Sequence, residues 1–477
     1  MTKLQARYIH IAIMLILIIG FHFLPPIGTI TPVGMKILGI FLAMLYGWTT
    51  CGMIWPSMLG MIAVPLTGLL TMKEFAALIF GNETLVFIIF LFFFTGVVDE
   101  VGLINYIANK VISFKILNGR PWLFSAFLLV GAYIAAAFIN IFAAIIVFWG
   151  IIYIVAERFS FKPQDKYPTL MIMGVTLASL IGGAVMPYKP VPIVILKAYS
   201  TAAGVPMDFF KYICFALPVT FAVMIFYVLI CRFVFRPELK DLKNLSVDFV
   251  DRNVLVLNKK QKIVISFLAV FIFLMIAPSI LPETWLLAQL INQWGIIGCL
   301  FSLLILMQWI YIDKEPLLDF IPMAKHVSWD MVMIMGFVIP FATLFTSEET
   351  GIKEMMIQVM QPILAGHSPI MFVVLTLFIA TVLTNVANNM VVGAVFTTLI
   401  FTIGTDMGLE IAPIVAVLAM CCNLALATPA AAPTTALTFA NDKWCKSSDI
   451  YKYGTATVLL SFVFTMVAGL LWASVIY

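Results

Sequence analysis

Residues 135–150 read AAAFINIFAAIIVFWG, and residues 380–396 read ATVLTNVANNMVVGAVF. Each stretch places an asparagine, Asn140 or Asn385, in the middle of a membrane-length apolar segment. Polar side chains at that depth are costly, and they usually face a bundle interior or a water-filled cavity. The two asparagines therefore mark two polar positions inside a membrane-embedded core.

The segments that flank these asparagines occur twice in the same order. An acidic pair followed by glycine precedes each asparagine, within residues 92–112 and 338–360, and a proline-containing apolar segment follows, within residues 178–195 and 421–441. Paired, interrupted helices in two halves of a membrane protein are typical of secondary transporters. We therefore predict two structural repeats, each with a re-entrant hairpin and a broken span.

The composition agrees with a membrane protein. Hydrophobic residues make up 63% of the chain and charged residues 10%, and the mean hydropathy is +1.11, which excludes an ordinary soluble surface. Its long apolar runs do not alternate with polar residues, so they predict helices rather than barrel strands. The seven cysteines lack metal-type spacing, and no basic cluster indicates a nucleic-acid partner. The predicted fold class is an all-α polytopic membrane protein in the lipid bilayer.

The predicted layout has about 11 transmembrane helices and two re-entrant hairpins. The first repeat covers residues 1–235, a basic cytoplasmic connection covers 236–262, and the second repeat covers 263–477. The first repeat is divided into scaffold helices at 1–104, a re-entrant hairpin at 122–157 and a broken span at 168–201. The second contains a re-entrant hairpin at 367–403 and a broken span at 411–440.

The distribution of basic residues predicts the orientation. If both hairpins leave the membrane on the side they entered, the loop lysines and arginines lie almost entirely on one side. The exceptions on the outer side are Lys36, Lys73, Lys211 and Lys353. Such an excess marks the cytoplasmic side. We therefore predict inverted repeats in an inner or plasma membrane, with a cytoplasmic amino terminus.

Prolines interrupt both broken spans, because proline lacks a backbone donor and clashes with the preceding helical turn. They are Pro187, Pro190 and Pro192 in the first half, and Pro429 and Pro433 in the second. Non-helical backbone at membrane depth must be enclosed by protein or line a water-filled cavity. We expect four half-helix amino termini to converge and to bind an anion, just after Asn140, Pro192, Asn385 and Pro433.

The order and character of these segments resembles the divalent anion:sodium symporter family of di- and tricarboxylate carriers, within the ion-transporter superfamily. The resemblance covers about residues 80–200 and 325–440. Members carry Ser-Asn-Thr at each hairpin tip and a Thr-Pro-Pro-Asn-like break in each broken span. Thr384-Asn385-Val386 and the ATPAAAPTT stretch that contains Thr428 and Pro429 match moderately. Ile139-Asn140-Ile141 keeps only the asparagine, and MPYKPVP, with Lys189, stands at the first break.

This resemblance implies an elevator-type homodimeric carrier of a small organic anion, typically a carboxylate, with sodium as a coupling ion. It implies no enzymatic activity and no resident cofactor. The substrate-binding residues that we predict are Asn140, Lys189, Pro190, Thr384, Asn385, Thr428, Pro429 and Thr434. The residues predicted to contact sodium are Thr384, Asn385 and Thr428.

Two lysines and two acidic pairs carry further expectations. A lysine in the middle of a membrane segment is costly. We therefore interpret Lys189 as a built-in cation that replaces the sodium of the first repeat. The alternative is a side chain that snorkels to an interface, which we expect for Lys197. The acidic pairs are expected to be solvated or helix-capping: Asp99 with Glu100, and Glu348 with Glu349.

Several alternatives stay open on sequence alone. Transport with sodium, transport with protons and exchange of one anion for another are all compatible with these residues. An anion channel is a further alternative, although no continuous polar stripe or ring is present. An intramembrane enzyme is disfavoured, because the sequence has no His-Glu-x-x-His motif and no phosphate-binding loop.

Overall fold

The computed structural model describes residues 3–239, 242, 256–282, 284–345, 347–352, 354–355, 358 and 368–477. The middle of the predicted 236–262 connection lies outside these residues, as does Lys353. The first residue of the predicted second hairpin, 367, also lies outside them.

The described chain is almost entirely helical. The helices of the first half are α1 (Lys3–Gly20), α2 (Pro32–Thr50), α3 (Ile54–Ala63), α4 (Met72–Phe80), α5 (Glu83–Glu100), α6 (Leu103–Ile112), α7 (Pro121–Phe138), α8 (Ile141–Arg158), α9 (Lys166–Gly182), α10 (Pro190–Ala203) and α11 (Phe209–Leu229). A π-helical segment, Ile230–Phe235, extends α11.

The described helices of the second half are α12 (Lys259–Ile280), α13 (Leu286–Trp309), α14 (Phe320–Met323), α15 (Trp329–Phe345), α16 (Pro369–Thr384), α17 (Asn389–Asp406), α18 (Ile411–Cys422), α19 (Pro433–Phe439), α20 (Ser447–Phe464) and α21 (Leu470–Ile476). The strands β1 (Tyr311–Ile312) and β2 (Glu315–Pro316) form a small antiparallel pair in which Tyr311 lies opposite Pro316.

These helices confirm the predicted fold class. Within the described ranges, seven helices are long and apolar enough to cross a membrane. An eighth span results if α4 and α5, which are bent by 48° at their junction, are counted as one. Further apolar helices of 10–17 residues are shorter than a full span. The protein is therefore an all-α polytopic membrane protein, whereas the predicted count of 11 spans and the inverted repeat stay predictions.

The hairpins and broken spans follow from local sequence. In the first hairpin, α7 ends at Phe138 and α8 begins at Ile141, because the Asn140 side chain accepts hydrogen bonds from the Phe142 and Ala143 amides. Pro190 and Pro433 begin the second halves of the two broken spans. Proline suits the first helical position, since the hydrogen bond that it lacks is not made there in any case.

Two of the four predicted half-helix starts are wrong by two to four residues. α10 begins at Pro190, so Pro192 lies within its first turn. α17 begins at Asn389 and is capped by Asn388, whereas Asn385 ends the preceding helix. The physical reason is that the Asn385 side chain bonds to the backbone of Leu424 and Ala427 in the second break, which leaves the capping position to an asparagine three residues later.

The helices form two packed groups. The hairpins, the broken spans and the helices that follow them (α7–α11 and α16–α21) contact one another extensively, and we call them the inner group. The helices α1–α5 and α12–α15 form the outer group, in which α3 and α4 pack on α15, and α5 packs on α13. Fewer contacts join the groups, mainly from α5 and α15 to α10 and α17 and from α12 to α11. The unpredicted helix α6 packs against the first hairpin.

The packing of α9 against α7 gives a test of the inner group. A Cβ at Gly182 would lie 2.5 Å from the backbone carbonyl oxygen of Tyr133. Because backbone cannot yield as a side chain does, we expect Gly182→Ala to cost about 1–3 kcal/mol of stability. The measurement is the unfolding temperature of the purified protein in detergent.

The matched control is Gly150→Ala in α8, where an added Cβ meets nothing within 4 Å. Alanine is preferred to glycine in a helix interior by about 1 kcal/mol, so this variant should unfold at the wild-type temperature or slightly above it. Equal unfolding temperatures for the two variants would contradict the close approach of α7 and α9.

Candidate functional site

The four half-helix starts surround one cavity, which we call the central cavity. Its volume is about 210 Å³. The residues that each start contributes to its wall are Ile141 and Phe142 (α8), Pro190 and Val191 (α10), Asn389 and Met390 (α17), and Pro433 and Thr434 (α19). The amino termini of the three longer helices, α8, α10 and α17, carry partial positive charge, whereas α19 has only seven residues. The structure thus brings together the elements that the sequence predicted to converge.

The polar lining of the central cavity is mainly neutral. Its side chains are Ser328, Asp330, Asn388, Asn389, Asn423 and Thr434, and no lysine, arginine or histidine lines it within the described chain. The Thr434 hydroxyl is buried and has no hydrogen-bond partner, so it is available to a ligand. Asp330, in the first turn of α15, is exposed. An anion here would be bound by amides, hydroxyls and helix ends.

Asn385, predicted to bind substrate, ties the second hairpin to the second break. Its Nδ2 donates to the carbonyl oxygens of Thr381 at 2.8 Å and Leu424 at 2.9 Å. Its Oδ1 accepts a hydrogen bond from the Ala427 amide at 2.8 Å. The side chain is 5% exposed and lines neither the central cavity nor the cavities described below. Asn385 therefore satisfies backbone groups that the break leaves unpaired.

Thr384 and Thr428 add further hydrogen bonds between the second hairpin and the second break. The Thr384 hydroxyl oxygen lies 2.9 Å from the Cys422 carbonyl oxygen and 2.7 Å from the Asn389 Oδ1, and its single proton is donated between these two acceptors. The Thr428 hydroxyl donates to the Asn385 carbonyl oxygen. The predicted sodium-contacting residues thus lie together in a cluster of neutral oxygen atoms. Pro429 instead lines a small cavity of about 160 Å³ beside Trp48 and Asn388.

Asn388 is a residue for which the sequence analysis assigned no function. Its Oδ1 accepts hydrogen bonds from the amides of Met390 at 3.0 Å and Val391 at 3.4 Å, and it lines the central cavity. In this role it is the counterpart of Asn140 in the first hairpin. The signal was an asparagine directly before an apolar run, which is a common helix start.

Another cavity adjoins the central cavity, and we call it the side cavity. It measures about 190 Å³ and is lined by Asp99, Asn140 and Lys189 among others. The Asn140 Nδ2 donates to the Asp99 Oδ2 at 2.8 Å. The Lys189 Nζ donates to the Ile139 carbonyl oxygen, at the tip of the first hairpin, at 2.7 Å. The first tip therefore carries an amide, an ammonium group and a carboxylate.

Lys189 lies at the edge of the predicted site. Its side chain is 6% exposed and lines the side cavity, not the central one, whereas Pro190 lines both. The two cavities also share Ile141, Phe142 and Met331 in their walls. The ammonium group is thus buried against the hairpin tip, which does not fit a side chain that reaches for an interface.

The expectation that Asp99 is solvated or capping is wrong. Glu100, Glu348 and Glu349 are exposed, but Asp99 is half-buried and bonded to the hairpin tip, and its Oδ1 is buried without a partner. The reason is tertiary. α5 turns Asp99 towards the hairpin, whereas Glu100 points outwards, with its Oε1 2.9 Å from the Lys325 Nζ.

Lys197 lines a fourth cavity, which we call the lateral cavity. This cavity measures about 400 Å³ and lies between α10, α17 and the outer group. The Lys197 Nζ lies 3.4 Å from the Glu83 Oε2, and the lysine side chain is 30% exposed. Lys197 therefore pairs with a residue of α5, at the end opposite to Asp99.

The family model described as "Citrate transporter" (CitMHS) matches residues 43–423. The fold is similar to the crystal structure of the YdaH transporter of Alcanivorax borkumensis, with a TM-score of 0.54 and 12% sequence identity. That match covers 83% of this chain and 87% of the other. No curated protein matches the sequence significantly.

These findings confirm the resemblance drawn from the hairpins and breaks, and they agree with the expectation of a transporter rather than an enzyme. The family match covers well over half of the chain. The protein belongs to the citrate transporter family.

Proposed function

We propose that this transporter carries a small organic anion, with a carboxylate as its binding group, by secondary active transport. The observation that carries the proposal is the enclosure of one cavity of about 210 Å³ by four helix starts from both halves of the chain. Amide and hydroxyl donors at helix amino termini suit a carboxylate, and a volume of this size suits a small molecule.

Citrate is the first substrate to test, because the matching family model is described as a citrate transporter. The neutral amides of Asn388, Asn389 and Asn423 and the free hydroxyl of Thr434 offer hydrogen bonds to carboxylate and hydroxyl oxygens. Met53, Leu180 and Met390 supply apolar wall, so smaller carboxylates with an apolar body are the comparison set.

Elevator-type movement of the inner group is part of the proposal. The central, side and lateral cavities all have walls from both groups: α5 or α15 on the outer side, and α10 or α17 on the inner side. A substrate held mainly by hairpin tips and breaks would travel with them. Cavities at the boundary and sparse contacts across it are what a sliding surface requires.

Lys189 is proposed as a built-in counter-charge of the first half. Its Nζ occupies the position next to the Ile139 carbonyl oxygen, at the hairpin tip, where a coupling cation would find an oxygen ligand. The ammonium group therefore supplies the positive charge itself. It lies beside the wall that the two cavities share at Pro190.

Sodium is proposed as the co-transported ion of the second half. The carbonyl oxygens of Asn385, Cys422 and Leu424 and the hydroxyls of Thr384 and Thr428 gather where hairpin and break meet. Hard cations prefer such neutral and anionic oxygen ligands, and a carbonyl or hydroxyl oxygen that makes one hydrogen bond keeps a lone pair for an ion. The donor set therefore fits sodium.

A homodimer in the inner or plasma membrane, with a cytoplasmic amino terminus, completes the proposal. The orientation rests on the distribution of lysine and arginine. The dimer rests on the resemblance.

The central experiment is uptake of labelled citrate, succinate and benzoate by the purified protein in proteoliposomes. An inward sodium gradient should drive uptake of at least one of them above the level seen with choline. Uptake driven only by a pH gradient would show proton coupling instead of sodium coupling. Uptake driven only by a counter-anion would show anion exchange instead. Failure to transport any organic anion under every gradient would refute the proposed function.

Loss of the ammonium group of Lys189 should abolish transport. Truncating one partner of a buried pair of opposite charges typically costs about 2–5 kcal/mol of binding, so we expect Lys189→Met to lower uptake at least about thirtyfold. The measurement is initial uptake at low substrate concentration in proteoliposomes of matched protein content.

The control for this substitution is Lys197→Met on the same helix. Lys197 forms a partly exposed pair with Glu83, and such pairs contribute little. Most of the uptake should remain in this variant. Near-normal uptake by the folded Lys189→Met protein would show that transport does not require Lys189 as a counter-charge.

Thr384→Val tests the proposed sodium ligands. Valine keeps the shape of threonine but removes the hydroxyl that bonds to the Cys422 carbonyl oxygen. Because the loss of one oxygen ligand weakens a site by a few kcal/mol at most, we expect the sodium concentration for half-maximal uptake to rise about tenfold.

Thr376→Val on the same helix, α16, is the matched control. The Thr376 hydroxyl is buried but has no hydrogen-bond partner, so its loss should leave the sodium dependence unchanged. Equal sodium dependence in both variants would exclude Thr384 as a ligand.

A further inference from the structure

The groups at the first hairpin tip that suit a carboxylate already hold one from the protein itself. The Asp99 Oδ2 accepts a hydrogen bond from the Asn140 Nδ2 at 2.8 Å. The buried Lys189 lies in the wall of the same side cavity, and its charge attracts the Asp99 carboxylate. An amide donor and an ammonium group beside a helix start are a common carboxylate-binding set.

The bonding of Asp99 is incomplete. Its Oδ1 is buried and has no hydrogen-bond partner, which is a costly state for a carboxylate oxygen. The Lys189 Nζ, which has three protons, is bonded to the Ile139 carbonyl oxygen, and the salt-bridge geometry with Asp99 is not formed. Asp99 therefore contacts the tip through one oxygen, in an arrangement that a better-placed carboxylate can improve.

Asp99 also comes from the other helix group. It lies at the end of α5, in the outer group, whereas Asn140 and Lys189 belong to the inner group. The side cavity that holds these groups shares the wall residues Ile141, Phe142 and Pro190 with the central cavity. A substrate in the central cavity thus lies next to the Asp99 contact.

We propose that Asp99 is an internal occupant of the carboxylate-binding groups at Asn140 and Lys189, and that a carboxylate of the substrate displaces it. This inference rests on the proposed function, because it requires a carboxylate substrate. Displacement replaces one negative charge beside Lys189 by another, so the local charge is kept. It also breaks a direct hydrogen bond between the outer and inner groups.

The test measures binding of citrate, succinate and acetate to the purified full-length protein by titration calorimetry. Asp99→Asn removes the competing charge but keeps the size and an acceptor oxygen for Asn140. Because the anion no longer has to displace a charged hydrogen-bonding group, the variant should bind at least one of these anions about tenfold more tightly than the wild type does. Asp99→Ser, neutral and smaller, gives the same expectation if the asparagine variant fails to fold.

Glu100→Gln is the matched control, since it removes the neighbouring charge, which pairs with Lys325 at the surface. Its affinities should stay within about twofold of the wild-type values. If Asp99 has a purely structural role, its neutral variants should unfold at a lower temperature than the wild type and should not bind anions more tightly. Neutral variants at Asp99 that bind none of the three anions more tightly would overturn the inference.

Uptake by the wild-type protein separates this result from the proposed function. If the wild type transports an organic anion but the neutral variants at Asp99 show unchanged affinity, only the inference fails. If the wild type transports no organic anion under any gradient, the proposed function fails, whatever the variants bind.

Discussion

Backbone groups that lie unpaired inside an apolar protein constrain this structure more than any other feature. Each hairpin tip and each break interrupts a helix among buried residues, which exposes N–H and C=O groups that lipid cannot satisfy. Such interruptions persist only where side chains, other backbone segments or a polar cavity take over the lost bonds. The candidate site lies where these replacements are made.

The two halves make the replacements in opposite directions. In the second half, a hairpin side chain, Asn385, donates to the Leu424 carbonyl oxygen of the break. In the first half, a side chain of the break, Lys189, donates to the Ile139 carbonyl oxygen of the hairpin tip. The same mechanical link is thus made by a neutral amide on one side and by an ammonium group on the other. This difference gives the two related sequence patterns different electrostatics.

The sequence was sufficient for the helical class and for the helix starts at Ile141 and Pro433, because long apolar runs, asparagine caps and prolines act locally. It was not sufficient to identify which asparagine of the second tip caps a helix. Asn385 and Asn388 are both compatible with a helix start, and only tertiary bonds from Asn385 to the break decide between them. Asp99 was misjudged for the same reason. Its partner Asn140 is distant in sequence, and no local pattern records the contact.

The charge balance at the first tip bears on how an anion can be released as well as bound. An ammonium group buried alone in the membrane costs several kcal/mol, and it would bind an anion tightly enough to slow its release. Partial neutralisation by Asp99, from a helix of the other group, lowers both costs. The central cavity adds only neutral lining and helix ends beside this pair. If a substrate carboxylate displaces Asp99 as proposed, affinity for the anion depends on a difference between two carboxylates at one tip, which is smaller and easier to reverse than the full attraction of an unpaired lysine.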